Sequence, residues 1–301
     1  MEEFVQQLLN GLTVGSGYAL VALGYTMVYG VLKLINFAHG DLFMLGTYLA
    51  VSVAVSCLGA GLASPWVVLP IIFLTSMGLV GVAGVLIERT AYRPLRGAGR
   101  LAPVVSALGA AVVIQNAVML AYGANYQVFP EGLVPEARWI VAGMNIPVLR
   151  VAMLVLSLIL MAILYLFIQR TTVGAAIRAT SLDHDTARLM GIDINRIIML
   201  VFLIGPALGA ASGIMIGLYY RQVYFTMGWI YGLKAFTAAI LGGIGNIPGA
   251  MVGGMILGLF ETLAAGYISS AWKDAFAFVL LIAILVLRPT GLLGERVVEK
   301  L

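Results

Sequence analysis

GAAIRATSLDHDTARLMGIDINR, residues 174–196, is a charged island between two long apolar runs. It is the one place where the chain builds a compact polar helix, and ionisable side chains are costly among lipid tails. The island therefore projects into water, where a soluble partner can meet it. Thr180 or Ser181 is placed to cap a helix whose first turn holds Asp183 and Asp185, since carboxylates favour the positive end of a helix dipole. Arg188 falls in the last turn, and Gly191 takes the position that favours a left-handed residue. Leu182, Thr186, Leu189 and Met190 share one face at helical spacing. A helix of about ten residues is marginal alone, so docking into a groove on a partner is expected. The plainer alternative is a solvated helix that merely joins two spans.

Outside the island the chain is written for lipid. Of 301 residues, 62% are apolar and 10% charged, against about 25% charged in soluble domains. Mean hydropathy is +1.05. The 36 glycines and ten prolines suit membrane helices, where small residues allow close backbone approach and neighbours satisfy breaks. The single Cys57 excludes an internal disulfide and a cysteine-based metal cluster, and reads as a packing residue. With His39 and His184 as the only histidines, no metal site is expected. The net charge of +4 reflects loop orientation rather than nucleic-acid binding. Met1, Glu2 and Glu3 form an acidic start, opposite to the basic start of a cleavable signal, so none is expected.

A bilayer core takes about 20 apolar residues per helix. Spans are expected near 8–32, 41–58, 66–87, 104–122, 148–168, 197–218, 226–245, 249–268 and 274–290. Lys234 and a Gly-rich break interrupt the seventh and eighth, so fusing them would give eight spans instead of nine. Basic residues favour nine. Lys33, Arg89, Arg93, Arg96, Arg100, Arg170, Arg178, Arg188, Arg196, Arg288, Arg296 and Lys300 then share one side. Arg138, Arg150, Arg221 and Lys273 lie opposite, with Lys234 ambiguous. By the positive-inside rule the N-terminus is external and the C-terminus cytoplasmic. Trp66, Trp139, Trp229 and Trp272 fall near span ends, as an interfacial belt.

Two segments look related in kind: GYTMVYGVLKLINFAHGDLFMLGTYLA (24–50) and FTAAILGGIGNIPGAMVGGMILGLF (236–260). Each has an apolar half, a short Asn-containing, Gly-rich break, and a second Gly-rich apolar half. Paired interrupted helices point to a midplane site in a transporter; the alternative is two tight turns. Asn36, His39 and Asp41 cluster at the first break, with Asp41 placed as an N-cap and His39 within reach of it. They are either structural or part of a translocation surface. Gly245 and Asn246 open the second break. Glu261 lies in the eighth span, where a carboxylate marks a pathway unless it sits at the interface. None of Lys33, Lys234, Lys273 or Lys300 follows a glycine, so the Gly-Lys-Ser/Thr of a phosphate-binding loop is missing. ATP, if used, binds another chain.

RATSLDHDTARLMGIDINR (178–196) resembles the cytoplasmic coupling loop of ABC-importer permeases, most closely the branched-chain amino acid permease family with its LivH-type subunits. KLINFAHGDLFMLGTYLA (33–50) and AAILGGIGNIPGAMVGGMILG (238–258) match two other signature regions of that family, so the resemblance covers nearly the whole chain. The general importer pattern is met loosely. Ala187 and Gly191 keep its separation, but Asp185-Thr186-Ala187 replaces Glu-Ala-Ala.

The resemblance implies a single all-α permease domain over 1–301, a bundle of about eight or nine transmembrane helices. It is of the type II-like importer class, with broken helices and a coupling loop at about 170–196. It implies coupling residues Arg178, Thr180, Ser181, Asp183, Asp185, Ala187, Arg188, Leu189, Met190 and Gly191. The matching breaks would line translocation through Asn36, His39, Gly40, Asp41, Gly242, Gly243, Gly245, Asn246, Pro248 and Gly249. It also implies partners: a second, LivM-type permease, two cytoplasmic ATPase subunits carrying ATP and Mg, and an external or periplasmic substrate-binding protein. The cargo would be branched-chain or similar amino acids, the location the cytoplasmic membrane of a bacterium or archaeon. Rival readings are a permease for urea or short amides, an ion-coupled secondary transporter, and a passive channel or scaffold.

Overall fold

A computed structural model describes residues 2–62, 64–99, 101–130, 132–133, 137–141 and 144–294. Arg100, Arg296 and Lys300, which entered the charge argument, lie outside the described residues. The apolar runs form helices α1 (Glu2–Leu32), α2 (His39–Gly59), α3 (Pro65–Ile87), α4 (Leu101–Tyr122) and α5 (Val148–Arg170). The island forms α6 (Thr172–Leu182) and α7 (His184–Leu189). Then follow α8 (Ile194–Tyr220), α9 (Met227–Gly242), α10 (Ile247–Tyr267) and α11 (Lys273–Leu287). Seven helices are long and apolar enough to cross a bilayer. α9 and α11, with 16 and 15 residues, occupy the remaining two expected spans. Among the described residues, 226–268 is thus two helices rather than one.

Small residues set the packing. Gly11 and Gly15 of α1 lie against Gly258, Leu259 and Gly254 of α10, and Gly254 abuts Ala19, so the two backbones run antiparallel with no room for a Cβ. Gly17 faces Ser212 and Ile216 of α8, while Gly24 faces Gly205, so α8 is also antiparallel to α1. These close approaches replace hydrophobic drive, which is weak between helices in lipid. α1 becomes the buried centre of the bundle, 94% of its apolar window being enclosed. α4 is the opposite case, with 17% enclosed.

One end of the bundle is defined by the island. His184 Nε2 lies 2.7 Å from the Val31 carbonyl at the end of α1. There a π-helical turn over Glu88–Tyr92 breaks the end of α3. Arg93 grips the fully buried Glu88 through two hydrogen bonds of 3.1 and 3.0 Å. Arg96 also binds Glu88, and donates to Asn195 Oδ1 at 2.7 Å, tying this loop to the start of α8. The opposite end carries two short antiparallel pairs: β1 (Gln127–Val128) with β4 (Gln222–Val223), and β2 (Arg138–Val141) with β3 (Met144–Pro147).

The α1–α2 connection does not stay at the surface. His39 packs between Gly24, two turns before the end of α1, and Gly209, in the middle of the 27-residue α8. Residues 33–38 therefore fold back into the bundle, and α2 begins halfway along α8. Residues 221–226 do the same from the opposite end. Lys33 and Arg221, with φ of 53° and 55°, are the only non-glycine residues in the left-handed region among those described. Each ends a helix. After two further residues comes a turn that holds Phe37 or Phe225 and is closed by His39 N–H to Asn36 O (3.1 Å) or Met227 N–H to Tyr224 O (3.0 Å). In identical register come Gly40 and Gly228, and these two glycines meet backbone to backbone. Since α1 and α8 run oppositely, the two helix–break–helix units are inverted copies in the sense that transporter repeats are.

Candidate functional site

The island differs from the expected single helix. Asp183 is extended (φ −157°, ψ 122°) and caps α7, its Oδ1 accepting from Asp185 N–H at 2.9 Å and its Oδ2 from the Thr186 hydroxyl at 2.6 Å. Those bonds hold its carboxyl below the ordinary carboxylate range, the Thr186 hydroxyl being the larger cause. Thr180 and Ser181 do not cap it. Their hydroxyls bond back to the carbonyls of Ala176 (2.8 Å) and Arg178 (2.7 Å) and stay inside α6. A short carboxylate reaches two donors of the next turn at once, where a hydroxyl bonded to the preceding turn reaches none. Thr171 caps α6 through Gly174 N–H at 2.9 Å. Gly191 has φ of +80° and closes α7, with its N–H on the Arg188 carbonyl (2.9 Å) and Ile192 N–H on that of Ala187 (3.1 Å). Asp193, not foreseen from sequence, caps α8 through Asn195 and Arg196 N–H.

This pair of capped helices is fastened to the bundle at every corner. Gly174 seats directly on the Phe167 and Ile168 carbonyls of α5, and Arg178 donates to that of Ile168. Ile177, Thr180 and Ala187 point inward and are buried. Outward lie Leu182, Leu189 and Met190, at 86%, 87% and 78% exposure. Asp185 and Arg188 pair loosely beside them at 3.5 Å. Three large apolar side chains on a rigid, water-facing knob form a surface for a complementary groove.

Deeper in, the first break brings Asn36, His39, Gly40 and Asp41 together, all buried. Asn36 Oδ1 accepts from Ala38 N–H (3.1 Å) and from the Tyr92 hydroxyl (3.0 Å). His39 does not pair with Asp41. Its ring meets that of Tyr25 edge-on at 4.7 Å. Asp41 is the third residue of α2 rather than its cap, and its Oδ1, without a hydrogen-bond partner, faces Gly228. The second break is different. Gly243 and Gly245, with φ of +106° and +94°, make a tight turn, Gly245 and Pro248 are exposed, and Asn246 caps α10 through Gly249 N–H at 2.9 Å. Gly242 and Gly249 touch across the turn. The segment after α11 straps it: Leu292 and Leu293 N–H donate to the carbonyls of Leu241 (2.8 Å) and Gly242 (2.9 Å), and Asn246 donates to the Leu293 carbonyl. The geometric counterpart of the first break is accordingly 221–228, whose only sequence signal is the shared basic–x₃–Phe–x₂–Gly spacing.

Glu261 is buried within the bundle. Its Oε1 receives Lys234 Nζ at 2.7 Å and its Oε2 the Tyr18 hydroxyl at 2.9 Å. Lys234 also lies 2.5 Å from Asp274 at the start of α11.

A helix bundle with two inverted breaks and a capped, exposed knob is the architecture of a membrane transport protein. The fold agrees with the solved "inward-facing conformation of a putative metal-chelate type ABC transporter" at a TM-score of 0.51 and 16% identity, over 94% of this chain and 87% of that one. Residues 7–285 match the family model for the branched-chain amino acid transport system permease component, and the chain belongs to that family. It is 44% identical over 301 residues to the high-affinity branched-chain amino acid transport system permease protein BraD of Pseudomonas aeruginosa, covering 99% of this chain and 98% of that protein. It is 40% identical to the LivH permease proteins of Salmonella typhimurium and Escherichia coli K12, covering 99% of this chain and 97% of each. It is a multi-pass protein of the inner membrane and a transport subunit rather than an enzyme.

Proposed function

We propose that this chain is the permease subunit of an ATP-driven importer of branched-chain amino acids. It works with a second, LivM-type permease, two cytoplasmic ATPases and an external substrate-binding protein. The apolar knob of Leu182, Leu189 and Met190 carries the reading, because a rigid exposed surface on a membrane chain calls for a soluble partner. The family and its amino acid-transporting relatives supply the cargo class.

In this reading the ATPases grip α6 and α7 from the cytoplasm. Arg178, Asp183, Asp185, Arg188 and Gly191 shape the gripped surface, while Thr180, Ser181 and Ala187 hold it to the bundle. A push on α7 reaches the end of α1 through His184 and the Val31 carbonyl. That end leads directly into the break at 33–38, and so to Gly40 and Gly228 at mid-depth. Asn36, His39, Gly40 and Asp41 then form the part of the translocation path that moves. Gly242, Gly243, Gly245, Asn246, Pro248 and Gly249 form its cytoplasmic rim.

Reconstitution of the whole complex in liposomes tests this. ATP-dependent leucine uptake is expected, and Arg188→Glu, at an exposed position, and Gly191→Pro, which cannot take positive φ, are expected to abolish uptake and the ATP hydrolysis stimulated by loaded binding protein. Uptake driven by an ion gradient without ATP, or normal stimulated hydrolysis in both variants, overturns the reading.

A further inference from the structure

At the end opposite the coupling helices, a cavity of about 260 Å³ opens between α1, α8, α10 and α11. Its walls include Asn10, Val14, Tyr219, Tyr220, Glu261 and Lys273. At about 1.5 Å per residue, Asn10 lies roughly 30 Å along α1 from Val31 at the coupling end, the thickness of a bilayer core. The cavity shares Gln7, Asn10 and Gly266 with a wider polar vestibule of about 410 Å³ that contains Arg150.

Three features of this cavity exceed what folding requires. Glu261 is a buried carboxylate whose two oxygens each hold one partner, Lys234 and Tyr18. An ionised carboxylate accepts about four hydrogen bonds, so it keeps capacity on the side that lines the cavity. Lys273 is the first residue of α11, where a cation opposes the helix dipole. Its ammonium lies 5.5 Å from the Tyr220 ring centre, on the cavity wall. The wall of the same cavity also includes Val14, Tyr219 and Tyr220, which offer apolar and aromatic surface.

The geometry points to a binding site for a small zwitterion: its ammonium on Glu261, its carboxylate on Lys273, its aliphatic side chain against Val14, Tyr219 and Tyr220. The site rests on the amino acid importer reading and names where cargo released by the binding protein first engages this chain. Lys234 is a positioning residue. It fixes the Glu261 carboxylate from behind and binds Asp274, next to Lys273, at the same time. α9, α10 and α11 therefore share one ionic anchor beneath the cargo. Occupation by a zwitterion adds one positive and one negative charge and leaves the site's net charge unaltered.

Saturation-transfer NMR on the complete permease–ATPase complex in nanodiscs, without binding protein or nucleotide, measures a weak site directly. L-leucine is expected to bind. 3-methylbutylamine and 4-methylpentanoate, each lacking one charge, are expected to bind at least about tenfold more weakly, as the loss of one charge-assisted hydrogen bond implies. Glu261→Gln and Lys273→Gln should each weaken leucine by about the same factor. Should Glu261→Gln fail to assemble, the Lys234→Met/Glu261→Gln double variant removes the buried pair together, a change that is often neutral for stability, and it should lose leucine as well. Leucine binding equal to empty nanodiscs, equal affinity for the three compounds, or unaltered affinity in the assembled variants overturns the site. ATP-driven leucine uptake by the same complex separates the two conclusions: uptake without NMR binding removes the site alone, and binding without any ATP-driven uptake removes the importer reading.

Discussion

Gly40 and Gly228 touch through their backbones, each the second residue of a helix that starts inside the bundle. A Cβ on Gly228 would stand 2.6 Å from the Gly40 carbonyl and 2.8 Å from Asp41 Oδ1. Both distances are impossible for a relaxed structure, so either alanine must separate the α2 and α9 helix starts. Overpacking of this kind costs about 1–3 kcal/mol. Gly40→Ala and Gly228→Ala should each lower the thermal unfolding midpoint of the complex in detergent, and the double variant should cost less than the sum, since one displacement relieves both clashes. Strict additivity of the two shifts would count against the contact.

Glu88 makes a different prediction, in which direction of removal matters. Its carboxylate is fully buried, whereas Arg93 and Arg96 are partly exposed, at 38% and 23%. Arg93→Ala/Arg96→Ala strands a buried charge, and breaking such a pair costs about 3–5 kcal/mol, an upper figure here because water reaches the arginines. Glu88→Gln leaves two cations that water can solvate and should cost less. Thermal midpoints of the two variants in one detergent decide it. The double arginine variant also loses the Arg96–Asn195 link to α8, so its ATPase stimulation should fall even where it assembles.

What the chain announces in sequence is whatever depends on local pattern. The apolar run lengths placed nine helices to within six residues at every end, Lys234 notwithstanding, because a bilayer selects long apolar runs. Gly191 was legible as a helix stop because few residues tolerate positive φ. Asp183 was assigned to the helix interior since its dipole preference and its capping preference point to adjacent positions, and only backbone geometry separates them. The counterpart of the first break was sought at 243–249 because glycines and Asn246 stand out there. The true geometric partner, Arg221–Gly228, shares only Phe and Gly with Lys33–Gly40 in register, with Arg in place of Lys. Inverted repeats conserve backbone path, which many side chains can line. Glu261 and Lys234 are separated by 27 positions, and no local rule joins them.

The strap after α11 invites truncation. Leu292 and Leu293 N–H satisfy the carbonyls of Leu241 and Gly242 at the end of α9, and Gly291 and Gly294 pack on Gly243 without room for side chains. Ending the chain after Thr290 leaves those carbonyls to water and removes the partner of Asn246 Nδ2. Net hydrogen bonds contribute about 0.5–1.5 kcal/mol each, so the turn at 243–246 should open. Faster amide exchange at Gly243 and Asn246, with exchange at the α6 cap unaltered, is the expected result. Equal protection in full-length and truncated chains would show that the strap is ornamental to the turn.

Asp183 gives the exposed α6–α7 knob a pH dependence whose sign is fixed. Its carboxyl is held below the ordinary value of 3.8, first by the Thr186 hydroxyl and then by Asp185 N–H. A group depressed in the folded state contributes stability that is complete above its unfolded value and is lost as pH falls through its folded one. α7 should therefore be fully capped at neutral pH and begin to fray only as pH drops below 3.8. Amide exchange over 184–189, corrected for intrinsic rates, should accelerate through that window while α6, capped by the hydroxyl of Thr171, does not respond. Asp183→Asn retains an acceptor without a titrating proton, and its exchange profile should be flat across the same range. A variant profile identical to the parent's would mean that the acid response of α7 arises from another group and that Asp183 does not hold the knob's shape.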